Sequence, residues 1–256
     1  MGVVGLCHFF SHFHQLALPP LFILMHKTEQ YSYEALALLI TVFYLTSFLL
    51  QVPVGFFVDK YGARPILMAG VALLSGATTL YGLVPGYLAL VALSIVAGAA
   101  NSVFHPAGYS ILNASVTKPR LGRAFSVHNF GGFVGYGAAP VLMSGMGALW
   151  GWEMAVIAAG AFGLIAVILV FVLSGDFRDS SHTWEDPARR PALKENMKLL
   201  FSAPALLCVM FFAFLCAGQM GPQWFADKVY FLAHNVPVVL GNSYISMFVV
   251  GIIAGV

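Results

Sequence analysis

Charged side chains are scarce in this 256-residue sequence. Asp, Glu, Lys and Arg make up 9% of the chain and hydrophobic residues 60%, whereas roughly 25% of the residues in soluble domains are charged. The 12 basic and 10 acidic side chains nearly balance, so no basic surface for nucleic acid is expected. A soluble protein of this size needs more charge to cover its surface, and the composition therefore indicates an integral membrane protein.

Cysteines and catalytic motifs are also sparse. Cys7, Cys208 and Cys216 lie in apolar runs and lack the Cys-x-x-Cys spacing of a metal site, so we expect buried, inert thiols. No phosphate-binding glycine loop, nucleophile triad or zinc motif occurs. The sequence therefore predicts no cofactor, no resident metal and no enzyme.

Long apolar runs predict the membrane-spanning helices, because a span takes about 20 mostly apolar residues. The runs lie near 3–25, 35–57, 65–84, 87–112, 122–148, 152–174 and 203–226, and an eighth starts near 240. The eighth run is still apolar at Val256. We therefore expect the sequence to stop inside a helix of a longer, C-terminally truncated protein.

Basic residues fall on one side of these predicted helices. Ten of the 12 Lys and Arg residues lie in the connections 58–64, 113–123 and 175–201, which leaves Lys27 and Lys228 on the opposite side. The positive-inside rule then places the N-terminus and these three connections in the cytoplasm, with the chain in a membrane such as the bacterial inner membrane.

The connection 175–201 divides the chain. It is the one long polar stretch, and a helix lying at the membrane interface is expected within it from Pro191 onward. We predict an N-terminal six-helix transmembrane domain over 1–174, a cytoplasmic linker over 175–201, and the start of a C-terminal transmembrane domain over 202–256. Six helices, a linker and further helices are typical of transporters built from two halves.

The loop after the second predicted helix carries a motif. It reads Gly55-Phe-Phe-Val-Asp59-Lys60-Tyr61-Gly62-Ala63-Arg64, which resembles the loop signature of the major facilitator superfamily, although Ala63 stands at a position that is usually basic. The resemblance implies an all-α polytopic membrane protein, with a major-facilitator-type six-helix half followed by the first two helices of the second half. It also implies a conformational gate formed by Gly55, Asp59, Lys60, Gly62 and Arg64.

The signature of the superfamily's antiporters is degenerate in this sequence. Gly122, Gly131 and Gly135 have its spacing, but the Pro-x-x-Gly-Gly that should follow is missing. The pair Gly131 and Gly135 fits simple helix packing equally well.

Two other stretches narrow the resemblance. Helix one contains His8-Phe-Phe-Ser-His12-Phe-His14-Gln15, and helix four ends in Asn101-Ser-Val-Phe104-His105-Pro106. Both are similar to the fosmidomycin-resistance branch of the superfamily, whose members export drugs or small metabolites. The resemblance implies a secondary active transporter that exports a small organic compound, acting as an antiporter in drug resistance.

Histidines are the ionisable residues that lie well inside the predicted helices, since every Asp and Glu falls in a connection or near a helix end. At 100° per residue, His8, His12 and Gln15 share one face of helix one. Polar residues also mark helices two, four and five, which line the central cavity in superfamily members. The candidate residues for substrate binding or proton coupling are His8, His12, Gln15, Tyr44, Asn101, His105 and His128.

Protons are the expected coupling ion, because an unperturbed imidazole has a pKa of about 6.5 and changes charge near physiological pH. The expected partners are thus a small-molecule substrate, protons and the lipid bilayer.

Two other interpretations stay open. His8-x-x-x-His12 is the spacing of one histidine box in membrane di-iron desaturases and hydroxylases, but such enzymes need several boxes and no second one occurs. Iron analysis would separate that membrane-embedded metalloenzyme from a transporter. The sequence also fits a receptor that uses a transporter scaffold without moving a substrate.

Overall fold

The computed structural model describes residues 1–173 and 201–254, together with Gly175 and Lys198. All regular structure in these residues is helical. The predicted interfacial helix after Pro191 lies outside the described residues. The helices are α1 (Gly2–Gln15), α2 (Phe22–Glu29), α3 (Tyr33–Tyr61), α4 (Ala63–Tyr81), α5 (Tyr87–Asn101), α6 (Phe104–Ser115), α7 (Leu121–Trp150), α8 (Trp152–Leu173), α9 (Ala203–His234) and α10 (Val238–Ala254), with 3₁₀ turns at Pro19–Leu21 and Lys118–Arg120.

Five described segments are long and apolar enough to cross a membrane. They are Tyr33–Tyr61, Ala63–Tyr81, Tyr87–Ser115, Lys118–Trp150 and Trp152–Leu173, and they correspond to the second to sixth predicted helices. Large apolar side chains on their outer faces are exposed: the exposed fraction is 69% for Phe48 and 81% for Leu88. An apolar outer surface of this kind suits contact with lipid.

The first predicted helix, 3–25, is not continuous. The chain leaves the helical path after Gln15, makes the turn Pro19–Leu21, and resumes as α2. Pro19 and Pro20 have no N–H to donate to the preceding turn, so the hydrogen-bond ladder ends there. The prediction of one straight helix was wrong because the apolar run continues through the prolines.

The fourth predicted helix, 87–112, is also two helices. Helix α5 ends at Asn101 and α6 begins at Phe104. Pro106 lacks the N–H that would bond the Ser102 carbonyl in a continuous helix. At the end of α5, the Ser102 hydroxyl donates to the Ala99 carbonyl oxygen at 2.6 Å.

Among the helices α1–α8, α1 lies at the centre, and it packs on α7, α4, α6 and α8. A methyl group at Gly131 or Gly135 of α7 would overlap the carbonyl oxygens of Gly5 and Phe9 on α1. These two glycines therefore let the α1 and α7 backbones approach closely, as the packing interpretation of the Gly131/Gly135 pair predicts. Side chains on α1 consequently face several helices at once.

Helices α9 and α10 join this group at two places. Helix α10 packs along α7, and α9 packs on α10 and on the Pro19–Leu21 turn. At that turn the Lys228 ammonium group donates to the Pro19 carbonyl oxygen and lies 5.0 Å from the centre of the Phe22 ring. In turn, Lys27 lies 4.9 Å from the centre of the Phe231 ring. Lys27 and Lys228, the two lysines predicted on one side of the membrane, therefore both take part in the contact between the α2 region and α9.

The cysteines differ from the expectation in part. Cys7 is buried in α1, but Cys208 is exposed on the outer face of α9, and both are free thiols. Burial of Cys208 was a wrong prediction, because an apolar run does not distinguish a residue facing protein from one facing lipid. The Cys216 side chain lies outside the described residues.

Candidate functional site

Six amide and hydroxyl side chains from four helices form one hydrogen-bonded group. We call this group the amide network. It comprises Ser11 and Gln15 of α1, Tyr44 and Ser47 of α3, Asn101 of α5, and Tyr136 of α7.

Gln15 is the hub of the amide network. Its Oε1 accepts from the Tyr44 hydroxyl at 2.9 Å and from the Tyr136 hydroxyl at 2.6 Å. Its Nε2 donates to Ser11 Oγ and to Asn101 Oδ1, both at 3.1 Å. The amide of Gln15 therefore makes four hydrogen bonds to four side chains, three of which belong to other helices.

Asn101 completes the amide network. Its Oδ1 accepts from the Ser11 hydroxyl at 2.9 Å, and its Nδ2 donates to Ser47 Oγ at 3.0 Å. Gln15 is the last residue of α1 and Asn101 the last residue of α5, so both amides stand where a helix is interrupted. Interrupted helices near the middle of a bundle are typical of binding sites in transporters.

Four imidazoles lie next to the amide network. We call them the histidine cluster, and it comprises His8, His12, His105 and His128. The His8 ring stacks on the His128 ring with 3.8 Å between centroids, and it lies 4.2 Å from the His12 ring and 5.3 Å from the His105 ring. The His12 ring packs 4.0 Å from the Tyr136 ring, which joins the histidine cluster to the amide network.

One hydrogen bond fixes the proton of His8. Its Nδ1 lies 2.8 Å from the carbonyl oxygen of His128, and because a carbonyl oxygen only accepts, Nδ1 carries the hydrogen and donates it. The Nε2 atom of His8 is buried without a partner among the described residues. Its lone pair is therefore available to a ligand when the ring is neutral.

Gly132 of α7 provides the space for these rings. A methyl group at this position would lie 2.8 Å from ring atoms of both His8 and His12, closer than side-chain carbons approach one another. Any side chain here would displace the imidazoles.

The structure brings the seven predicted residues to one centre, in two adjoining groups. Gln15, Tyr44 and Asn101 belong to the amide network, and the four predicted histidines form the histidine cluster. His14 points elsewhere, as its position on the helix predicts. Its Nδ1 donates to the Phe10 carbonyl oxygen at 2.7 Å, and its ring lies against Gly163 of α8.

Sequence reasoning missed Ser11, Ser47 and Tyr136. Ser11 lies one turn before Gln15 on α1, and Ser47 lies one turn after Tyr44 on α3. Their helical spacing from predicted residues was the available signal. Tyr136 had a weaker one, since it adjoins the Gly135 position where α7 meets α1.

The predicted gate motif spans the α3–α4 junction. Helix α3 ends at Tyr61, and Gly62 joins it to α4 with a φ of +94°, a conformation that glycine adopts readily. Asp59 and Lys60 are exposed. Gly55 makes no close contact with another helix in the described residues, because no described atom outside its own stretch of α3 lies within 4 Å of where its Cβ would be.

A family model described as the Major Facilitator Superfamily matches residues 4–256. The Multidrug resistance protein B homolog of Mycobacterium tuberculosis is 26% identical over 160 residues, covering 61% of this chain and 27% of the relative. The Fosmidomycin resistance protein of Escherichia coli is 25% identical over 142 residues, covering 56% of this chain and 35% of the relative.

A crystal structure of a bacterial homolog of the human lysosomal transporter Spinster, inward-facing and unoccupied, has a similar fold. It superimposes with a TM-score of 0.80 at 15% sequence identity, covering 96% of this chain and 58% of that one. The chain thus spans about a third of the length of the curated relatives it matches and more than half of the structural one. With residues 4–256 matched by the family model, the chain belongs to the Major Facilitator Superfamily.

Proposed function

We propose that this chain forms part of a secondary active transporter that exports a small organic compound. The observation that carries the proposal is the convergence of the amide network and the histidine cluster at the interruptions of α1 and of α5–α6. In transporters of this kind the substrate meets discontinuous helices near the middle of the membrane. The names of the drug-resistance relatives support a drug or small metabolite as the cargo.

The seven predicted residues would then contact the substrate or shape its path. Their side chains offer neutral hydrogen-bond donors, neutral acceptors and aromatic faces, which suits an organic compound with few charges. His12 and His105 keep part of their surface exposed, so the centre is open to a ligand on that side.

The proton is the driving ion in this proposal. Sodium is a hard cation, and hard cations take oxygen ligands, carboxylates prominent among them. In the first eight helices, the described acidic side chains lie at helix ends: Glu29, Glu34, Asp59 and Glu153. The oxygens of the amide network already take part in hydrogen bonds with its own side chains. A sodium site therefore has little support in this part of the protein.

Alternating access needs contacts that open and close at both sides of the membrane. We propose the gate motif Gly55, Asp59, Lys60, Gly62 and Arg64 as the contact on the cytoplasmic side, the side that the positive-inside rule also assigns to the N-terminus in a bacterial inner membrane. The contact of Lys228 and Phe231 with α2 and its preceding turn would be its counterpart on the opposite side.

Drug accumulation tests the proposal. Cells that make the whole protein are expected to accumulate less fosmidomycin or ethidium than cells without it, and nigericin, which collapses the pH gradient, should abolish the difference. Asp59→Asn should reduce export because it removes the gate carboxylate. Glu34→Gln changes an exposed carboxylate at the other end of α3 and should leave export unchanged.

Three results would count against parts of the proposal. Equal accumulation with and without the protein, for a broad panel of small compounds, would contradict export. Compound binding without flux would favour the receptor interpretation. Export that survives nigericin but stops when sodium is removed would overturn the proton as the driving ion.

A further inference from the structure

We propose that His8, His12 and His105 form a binding site for a divalent transition-metal ion of the zinc type. As a site for a ligand of the transporter it rests on the proposed function, but the binding itself is a property that can be measured without transport. The sequence predicted no metal, because the helical spacing joins only His8 and His12, and the third histidine comes from α6.

The positions of the ring nitrogens carry the proposal. One nitrogen of each of the three imidazoles lies within 4.8 Å of the other two. Zinc binds imidazole nitrogen at about 2.0–2.1 Å in tetrahedral geometry, which puts neighbouring ligand atoms roughly 3.4 Å apart. Small rotations of the rings would close that difference, since His12 and His105 are only partly buried.

The buried nitrogens without partners provide a second, independent observation. His8 is only 3% exposed, and its Nε2 has no hydrogen-bond partner among the described residues, nor have Nδ1 of His12 and Nδ1 of His105. A buried polar atom left unpaired costs free energy. A metal ion held between the three rings would engage such lone pairs together.

The ring of His8 makes the outer hydrogen bond that is usual for a metal-binding histidine. Histidines that bind metals generally donate their other ring N–H to a carboxylate, a backbone carbonyl or water, which orients the ring. His8 does this through Nδ1 to the His128 carbonyl oxygen at 2.8 Å. The bond holds Nε2, the free nitrogen, on the opposite edge of the ring.

The ligand set selects the type of ion. Imidazole nitrogens suit zinc, copper, nickel and iron, whereas calcium and magnesium require oxygen ligands. Three protein ligands leave one position of a tetrahedral ion open. Because the three imidazoles are neutral when they bind metal, the ion keeps its double positive charge, and that charge favours an anionic oxygen donor at the open position.

Metal titration of the purified, metal-free chain in detergent tests the proposal. Isothermal titration with Zn²⁺ should show one site per chain, and Co²⁺ should give the visible absorption of a nitrogen-bound, low-coordinate ion. His12→Gln and His105→Gln should each weaken Zn²⁺ binding by roughly 100-fold or more. Loss of an outer hydrogen-bond partner alone costs about 10–100-fold in metal affinity, and each of these variants loses one of the three ligands themselves.

Two controls keep the result interpretable. His14→Gln changes a buried histidine of the same helix that lies outside the trio, and His234→Gln changes an exposed one; both should bind Zn²⁺ as the original chain does. His105→Cys should restore binding lost in His105→Gln and add a sulfur-to-cobalt absorption band in the near ultraviolet, which a misfolded variant would not show.

The proposal is overturned if Zn²⁺ does not bind, or if His12→Gln and His105→Gln bind it as tightly as the original chain. It is also overturned if binding depends on His14 or His234 instead. Binding with no drug export would leave the metal site standing and contradict the proposed function, while export without binding would do the reverse.

Discussion

The amide network and the histidine cluster lie side by side in the same bundle, yet they differ in how their polar atoms are used. Every member of the amide network is bonded to another member, and Gln15 alone makes four such bonds. In the histidine cluster, His8 donates to the His128 carbonyl oxygen, and several buried ring nitrogens, among them Nε2 of His8, have no side-chain or backbone hydrogen-bond partner in the described residues.

This difference in hydrogen bonding indicates that the amide network and the histidine cluster have different roles. Polar side chains bonded to one another inside a membrane protein tie helices together and gain less from a ligand, because many of their donors and acceptors are already occupied. Unpaired lone pairs are costly to the empty protein and become favourable when a ligand engages them. The amide network therefore suits the task of holding the helices and shaping the path of the substrate, and the histidine cluster suits direct contact with a ligand.

The largest expected effect is the stabilisation of the chain by Zn²⁺. At a free concentration 100 times the dissociation constant, binding to the folded state adds about 2.7 kcal/mol to the free energy of unfolding. Thermal unfolding in detergent should show a higher midpoint with Zn²⁺ in the original chain and no change in His105→Gln. Tyr44→Phe, altered only in the amide network, should keep the full shift; loss of the shift in that variant would break the distinction between the two groups.

The second effect compares two substitutions on α1 in metal-free buffer. Gln15→Leu should lower the free energy of unfolding by about 2 kcal/mol, because it removes the four hydrogen bonds that the Gln15 amide makes. His12→Leu should cost less than Gln15→Leu, at most about 1.5 kcal/mol, since it removes no side-chain hydrogen bond from the amide network and keeps similar volume. Equilibrium unfolding measures both, and equal losses would contradict the assigned roles.

The third effect probes the space that Gly132 provides. Gly132→Ala places a methyl group 2.8 Å from ring atoms of His8 and His12, so the rings must move and the metal ligands separate. We expect Zn²⁺ affinity to fall about tenfold, which corresponds to about 1.4 kcal/mol. Gly145→Ala is the matched control on α7, because no described atom outside that stretch of α7 lies within 4 Å of the added methyl group. Unchanged affinity in Gly132→Ala would remove the link between this glycine and the site.

The smallest effects come from the tyrosines of the amide network. Tyr44→Phe and Tyr136→Phe should each lower the free energy of unfolding by about 0.6 kcal/mol, the mean for side-chain hydrogen bonds between helices in a membrane protein. Because both hydroxyls donate to the same Gln15 oxygen, each single variant leaves that oxygen one of these donors, whereas the double variant removes both and should lose more than the sum. A double-mutant cycle measures this coupling, and strict additivity would mean that the two bonds are independent.

The spans were predictable from the sequence because lipid contact demands long apolar runs, and α3, α4, α7 and α8 follow those runs. The interruptions of the first and fourth predicted helices were missed, although Pro19, Pro20 and Pro106 mark them. Hydropathy does not record the missing N–H of proline. Those missed breaks are the places where Gln15 and Asn101 end their helices.

The part of the site that could be predicted from the sequence consists of residue types that are rare inside membrane-spanning helices. Histidines and amides inside apolar helices are conspicuous, and helical spacing put His8, His12 and Gln15 on one face. Helical spacing alone did not single out Ser11 and Ser47, because serine and threonine hydroxyls often bond the carbonyl one turn back, as Thr41 bonds Ala37 at 3.0 Å and Ser144 bonds Pro140 at 2.7 Å. The meeting of His8, His12 and His105 depends on how α1 and α6 pack together, which spacing along one helix does not encode.

X-ray absorption at the zinc edge of the Zn²⁺-loaded chain tests the central claim most directly, because it identifies the ligand atoms themselves. We expect nitrogen and oxygen ligands at about 2.0–2.1 Å from the zinc, with the outer scattering of three imidazoles, which falls to two in His105→Gln. A sulfur shell, or an imidazole count that His105→Gln leaves unchanged, would contradict it.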